Sequence, residues 1–141
     1  MNTVDFLSIA TAICPDRDAM VFEGERWTYS QANERINKLG NALARLGVEK
    51  GDRVAILQVN CPQYVESYYA ATKLGAIFVP LNFRAKIDEL NYMLGNAEAK
   101  ILLVGERYLD IVGAMLPHLP TIKQCISIDN KGADMLFYEG L

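Results

Sequence analysis

Apolar positions recur along this chain at two different periods, and the alternation of those periods predicts its elements. Ala32, Ile36, Leu39, Leu43 and Leu46 step by four and three, which places them on one face of an α-helix. Arg53 to Val59 (RVAILQV) is a short, mostly apolar run with β-branched members, the pattern of a strand buried on both faces. Val65, Tyr69 and Thr72 or Lys73 mark successive turns of a second helix. Ala76 to Val79 follows as a second buried strand. Ile87, Leu90 and Leu94 give the next helical face, and Lys100 to Val104 (KILLV) the third strand. Arg107 to Leu116 predicts a helix stopped by Pro117, and Gln124 to Ile128 (QCISI) a fourth strand.

Local punctuation supports these assignments. Met20-Val21-Phe22 and Arg26-Trp27-Thr28-Tyr29 flank Glu23-Gly24-Glu25, which predicts a hairpin with glycine in the turn. Thr28 and Gln31 have capping-box spacing ahead of the long helix, and Gly47 stands where its C-cap belongs. Gly51 fits a turn, while Gly75 and Gly95 fit helix ends. Pro62 belongs in the first turn of its helix, where a missing N–H has no cost. Near the N-terminus, Phe6, Leu7, Ala10 and Ile13 share a helical face, with Thr3 as the expected cap. Strand, helix, strand, helix, strand, helix, strand is the order of an α/β fold, a parallel sheet of βαβ units with flanking helices. Met135 to Tyr138 resemble the start of an element whose partner is absent.

Composition narrows the function classes. Hydrophobic residues make up 51% and charged residues 22% of 141, with a net charge of -3, which describes a folded domain rather than a disordered one. No basic patch marks a nucleic-acid face. Cys14, Cys61 and Cys125 are odd in number and widely spaced, so neither a disulfide framework nor a zinc site follows, and a cytoplasmic location is expected. The apolar FLSIATAIC stretch lacks a basic lead-in and is preceded by Asp5, so no export signal is expected; no run is long enough to span a membrane. His118 lies between two prolines, the setting of a surface loop.

In an open parallel sheet, ligands bind beyond the carboxyl ends of the strands. The stretches there are Gln58 to Pro62, Pro80 to Arg84, Gly105-Glu106-Arg107 and Asp129 to Gly132. None is a phosphate-binding glycine loop, and no serine sits in a nucleophile elbow. Asp88 and Glu89 are adjacent, so they point to different sides of a helix and do not form an acid–base pair. Tyr68 and Tyr69 are expected to be core residues with wet hydroxyls. Asn82 is expected to bond its own loop backbone, and Pro80 to end its strand. Arg84 just past that strand is the one suggestive cation.

The spaced motifs taken in order carry more. Thr28-Tyr29-Ser30-Gln31, Asn37-Lys38-Leu39, Gly47-Val48, Gly51-Asp52-Arg53-Val54, Asn60-x-Pro62, Lys73-Leu74-Gly75-Ala76, Val79-Pro80-Leu81-Asn82 and Glu89-Leu90 resemble the N-terminal part of the adenylate-forming (AMP-binding) superfamily. The resemblance covers about Asp16 to Leu141 and favours the acyl-CoA synthetases, including fatty-acid–CoA ligases. Gln31 departs from the glutamate usual there but keeps the capping role.

The resemblance implies the N-terminal subdomain of an AMP-forming acid–CoA ligase, using a carboxylic acid, ATP, Mg2+ and coenzyme A. It also implies that the phosphate loop and the catalytic lysine lie beyond Leu141, so this chain alone is expected to lack activity. Residues 1–19 are expected to be a helix and lead-in, and 20–141 the α/β subdomain. The resemblance further implies Arg84 as a contact for the phosphates of CoA; its structural alternative is a solvated arginine ahead of the next helix. The rest of the parent ligase is the expected partner, and a homodimer stays open. The competing reading is a free-standing, non-catalytic α/β binding module derived from the same fold.

Overall fold

The computed structural model describes residues 1–130 and 134–141. Helix α1 (Thr3–Ile13) leads into a hairpin of β1 (Asp18–Phe22) and β2 (Glu25–Thr28). Then come α2 (Tyr29–Arg45), β3 (Arg53–Leu57), α3 (Pro62–Lys73), β4 (Ile77–Pro80), α4 (Ile87–Ala97), β5 (Ile101–Val104), α5 (Leu109–Met115), β6 (Gln124–Ser127) and β7 (Leu136–Phe137). Strands β4-β3-β5-β6-β7 form one sheet in that order, every pair parallel. The hairpin is a separate two-stranded sheet.

Each strand of the sheet's centre alternates its side chains between two helical layers. Val54, Ile56, Ile101, Leu103 and Ile126 face the layer of α1, α2 and α3. Ala55, Leu57, Leu102, Val104 and Cys125 face the layer of α4 and α5. Residues Val54–Leu57 and Ile101–Val104 are fully buried, which is why their sequence is apolar at every position rather than at every second one. Among the described residues, no helix is long and apolar enough to cross a membrane.

The capping box appears as expected: Thr28 Oγ1 accepts the Gln31 N–H at 3.2 Å, and Gln31 Oε1 accepts the Thr28 N–H at 2.9 Å. Gly47, at φ 87°, ends α2 with the paired bonds Val48 N–H to Leu43 O and Gly47 N–H to Ala44 O. Pro62 is indeed in the first turn of α3.

Other expectations are corrected. The α1 cap is Asn2, not Thr3: Asn2 Oδ1 accepts the Val4 and Asp5 N–H groups, and Asp5 answers on the Asn2 N–H. Of the α1 face only Leu7 is buried, while Phe6 and Ile13 are exposed. Gly95 lies inside α4; the left-handed residue that ends this helix is Glu98, at φ 52°. Strand β4 is not buried but forms an edge, with Ile77 53% exposed. Pro80 is its last residue, where it needs no N–H for the ladder. The α3 face is not marked by Val65, which is exposed, but by Glu66, Ser67, Ala70 and Ala71. The small residue Ala70 lets α3 approach α2 closely; a Cβ on Gly40 would lie 3.9 Å from the Ala70 carbonyl oxygen.

Met135 to Tyr138 do have a partner within the chain. Leu136 and Phe137 pair with Ile126 and Ser127 as β7. Tyr138 then drops into the core and donates its hydroxyl to Glu66 Oε2 at 2.6 Å. Glu66, fully buried, also holds Arg35 Nε at 2.5 Å, and Arg35 reaches on to Glu139 at 2.8 Å. Burial, and next the Glu66 carboxylate, push the Tyr138 phenol far above its usual range, so it stays a donor. The Arg35 guanidinium holds the Glu139 carboxyl below the usual carboxylate range.

Two measurements follow. Arg35→Ala strands a buried carboxylate and is expected to destabilise the fold by about 3 kcal/mol, the low end for a broken buried pair because Arg35 is partly in water; chemical denaturation at neutral pH reads this. The Glu139 pKa is depressed in the folded state, so its contribution is present above 4.5 and lost as pH falls through the lower folded value. The stability gap between wild type and Glu139→Gln is therefore expected to be full at neutral pH and to close below pH 4.5.

Candidate functional site

The carboxyl ends of β3, β5 and β6 open on one side of the sheet into a cleft of about 520 Å3. Its opposite wall is the hairpin, which contributes Phe22 and Trp27. The hairpin can turn this tightly because Glu23 and Gly24 both take positive φ, 49° and 85°.

The cleft floor is built from the ends of separate strands. Gln58, just past β3, is 6% exposed, and its amide faces Gly105, just past β5. Gln58 Nε2 donates to Asp129 Oδ2 at 2.8 Å, and its Oε1 accepts the Val59 N–H at 2.9 Å. The Glu106 N–H donates to the same Asp129 oxygen at 2.9 Å. Asn130 Nδ2 donates to Glu106 Oε1 at 3.1 Å. Cys61 stands at the N-cap position of α3 at the cleft edge without a side-chain capping bond, and burial raises its thiol pKa, so it is not an activated nucleophile. Cys125, in the core, is pushed up to about 11.

Electrostatics decide what this cleft can hold by itself. Glu23, Glu25, Glu106 and Asp129 line it against Arg107. Among the described residues that balance disfavours a triphosphate, and the described parts of the loops hold no glycine-rich cradle of N–H groups. Among the described residues, no group of three or more His, Cys, Asp or Glu side chains is placed to hold a metal ion. The described residues of this cleft thus supply neither an anion cradle nor a metal-ligand cluster for ATP and Mg2+. The Lys131-Gly132 part of the loop after β6 lies outside the described residues.

Arg84 is not in the cleft. It lies on the exposed loop between β4 and α4, its guanidinium carbon 5.4 Å from the centroid of the Phe83 ring. Its N–H donates to Asn82 Oδ1 at 3.0 Å, the local loop bond expected of Asn82. Among the described residues Arg84 has no carboxylate within ion-pair distance. Asp88 and Glu89 are both exposed; Glu89 accepts the Lys86 N–H at 2.7 Å and so closes the start of α4. Tyr68 is half-buried, edge-on to Tyr69 and Phe78. His118 is exposed in a short 3-10 turn.

Sequence reasoning named the loops of the cleft but not the bonds joining Gln58, Glu106 and Asp129. Those bonds span 71 and 23 residues, and no spacing rule connects them. The one legible hint was Gly105 directly after a buried strand. A Cβ there would lie 2.5 Å from Gln58 Cδ and 2.8 Å from its Nε2. Gly105→Ala is therefore expected to cost about 1–3 kcal/mol by displacing a buried, bonded amide. In a Gln58→Ala background the same change is expected to cost much less, a coupling that a double-mutant cycle in urea measures.

Comparison with known proteins places this geometry. The family model described as AMP-binding enzyme matches residues 9–139. The 3-oxocholest-4-en-26-oate–CoA ligase of Rhodococcus rhodochrous is 34% identical over the whole chain, which spans 26% of that protein. A feruloyl-CoA synthase of an Amycolatopsis species is 38% identical over 72% of the chain and 21% of its own length. A provisionally named long-chain-fatty-acid CoA ligase from Rhodopseudomonas palustris superposes over 99% of this chain and 36% of that one, at TM-score 0.95 and 33% identity. The chain thus spans about a quarter of the length of the curated relatives it matches. With the parallel sheet, the two helical layers and a match over nearly every residue, the chain belongs to the AMP-binding enzyme family.

Proposed function

We propose that this chain is the N-terminal α/β part of an AMP-forming acid–CoA ligase, and that the whole ligase carries the activity. The carrying observation is the family match over residues 9–139, with relatives named as CoA ligases. In this reading a carboxylate oxygen attacks the α-phosphate of ATP and pyrophosphate leaves. The thiol of CoA then attacks the acyl carbon and AMP leaves. The barrier is mostly charge on phosphate, so cations and N–H donors must surround it. The cleft of this chain is acidic, which fits a supporting role and leaves the phosphate chemistry to the rest of the ligase. The relatives' names range from a sterol acid to feruloyl and long-chain fatty acyl groups, so the reading commits to a carboxylic acid and to no single member of that class.

Within that reading, Arg84 contacts a phosphate of CoA. Its guanidinium is exposed, free of carboxylates among the described residues, and held over Phe83, ready for a forked bond to phosphate. The reading frame past codon 141 is expected to encode a Ser/Thr/Gly-rich loop with a following lysine. The protein made from that frame is expected to exchange pyrophosphate into ATP only when its acid is present. In it, Arg84→Ala is expected to raise KM for CoA about tenfold, the scale of one charged hydrogen bond. Acid-dependent pyrophosphate exchange should stay unchanged. Equal loss in both half-reactions would remove Arg84 from the CoA site.

A further inference from the structure

Three loops leave the carboxyl end of the sheet, after β3, β5 and β6, and one carboxylate oxygen joins them. Asp129 belongs to the loop after β6. Its Oδ2 accepts from Gln58 Nε2 at 2.8 Å, in the loop after β3, and from the Glu106 N–H at 2.9 Å, in the loop after β5. The Gln58 amide is planar. When Asp129 fixes Nε2, it also fixes Oε1, which accepts the Val59 N–H at 2.9 Å. Gly105 closes the other side, because only a residue without Cβ leaves room for that amide. Gln58 is 6% exposed, so water does not readily replace a lost partner.

We propose that Asp129 is a positioning residue that couples the three loops into one unit, so that the cleft is shaped before any ligand enters it. The functional sense of this rests on the reading of the chain as part of a ligase whose substrates approach this end of the sheet. The coupling itself is a property of this chain. A residue that merely capped the turn at Glu106 would affect the Glu106 amide and leave Val59 untouched. A coupling residue moves both, across the sheet.

Hydrogen exchange of single backbone amides separates these cases in the 141-residue chain. Asp129→Ala removes the shared acceptor. Asp129→Asn loses the charge but keeps a carbonyl oxygen within reach of both donors. In Asp129→Ala, the Glu106 and Val59 amides are both expected to exchange about tenfold faster or more, while Leu102 and Leu103 in β5 keep their rates. In Asp129→Asn, both loop amides are expected to stay within about threefold of wild type. The proposal is overturned if Val59 keeps its wild-type rate in Asp129→Ala, or if Asp129→Asn exchanges as fast as Asp129→Ala. A uniform acceleration that includes Leu102 and Leu103 also overturns it, since it reports global instability. No nucleotide or acid enters the measurement, so its outcome and that of the ligase reading are independent.

Discussion

A parallel strand cannot be joined to its neighbour by a tight turn, and the whole molecule follows from that. Each pairing in the β4-β3-β5-β6-β7 sheet requires the chain to return to the same end before it can pair again. Helices or short helical turns make most of those returns, and they cover the sheet on both faces. The centre of the sheet is then dry: Val54 to Leu57 and Ile101 to Val104 have no exposure, and their backbone groups are satisfied by the ladder. Truncating one of these side chains, such as Leu103, opens a cavity of the kind that costs about 2–5 kcal/mol. The same geometry gathers the loops after β3, β5 and β6 at one end. A site on this fold must be assembled from residues far apart in sequence.

Tertiary anchors then close the structure where local pattern is weak. The C-terminal stretch forms a strand of only two residues, too short to hold by its ladder alone. It is fixed by Tyr138 and Glu139, through Glu66 on α3 and Arg35 on α2. A buried carboxylate is tolerated there because it accepts from a guanidinium and a phenol at once. Polar groups inside the fold thus set where a segment docks, while the apolar sheet supplies most of the driving force.

Much of this was legible in the sequence. Continuous apolar runs gave β3 and β5, and the four-and-three spacing with Thr28, Gln31 and Gly47 gave α2 nearly residue for residue. On α3, Tyr69 packs against the core and Lys73 bonds Asn33 and Asn37 of α2 as their spacing predicts, but Val65 does not, and side-chain size alone does not tell them apart. Val65 faces water, and the backbones of α3 and α2 come together where Ala70 meets Gly40, small residues that carry no hydropathy signal of comparable size. Gly95 was misread as a helix end because glycine is common there, yet Glu98 takes the left-handed conformation instead. Strand β4 reads as apolar but lies at an edge, a fact of topology that composition does not carry. The Gln58–Asp129 and Arg35–Glu66 contacts lie outside any local rule.

Under the proposed function, this chain carries the scaffold of an acid–CoA ligase while the phosphate chemistry resides elsewhere in that enzyme. A cleft that is acidic, and without an anion cradle among the described residues, is the physical basis for it. Acid-dependent exchange of labelled pyrophosphate into ATP, run on the 141-residue chain with fatty, aromatic and short-chain acids and Mg2+, tests this directly. Exchange is expected to be no faster than in buffer for every acid. Exchange above that background with any acid would contradict it, and would mean that the residues present here handle the α-phosphate themselves.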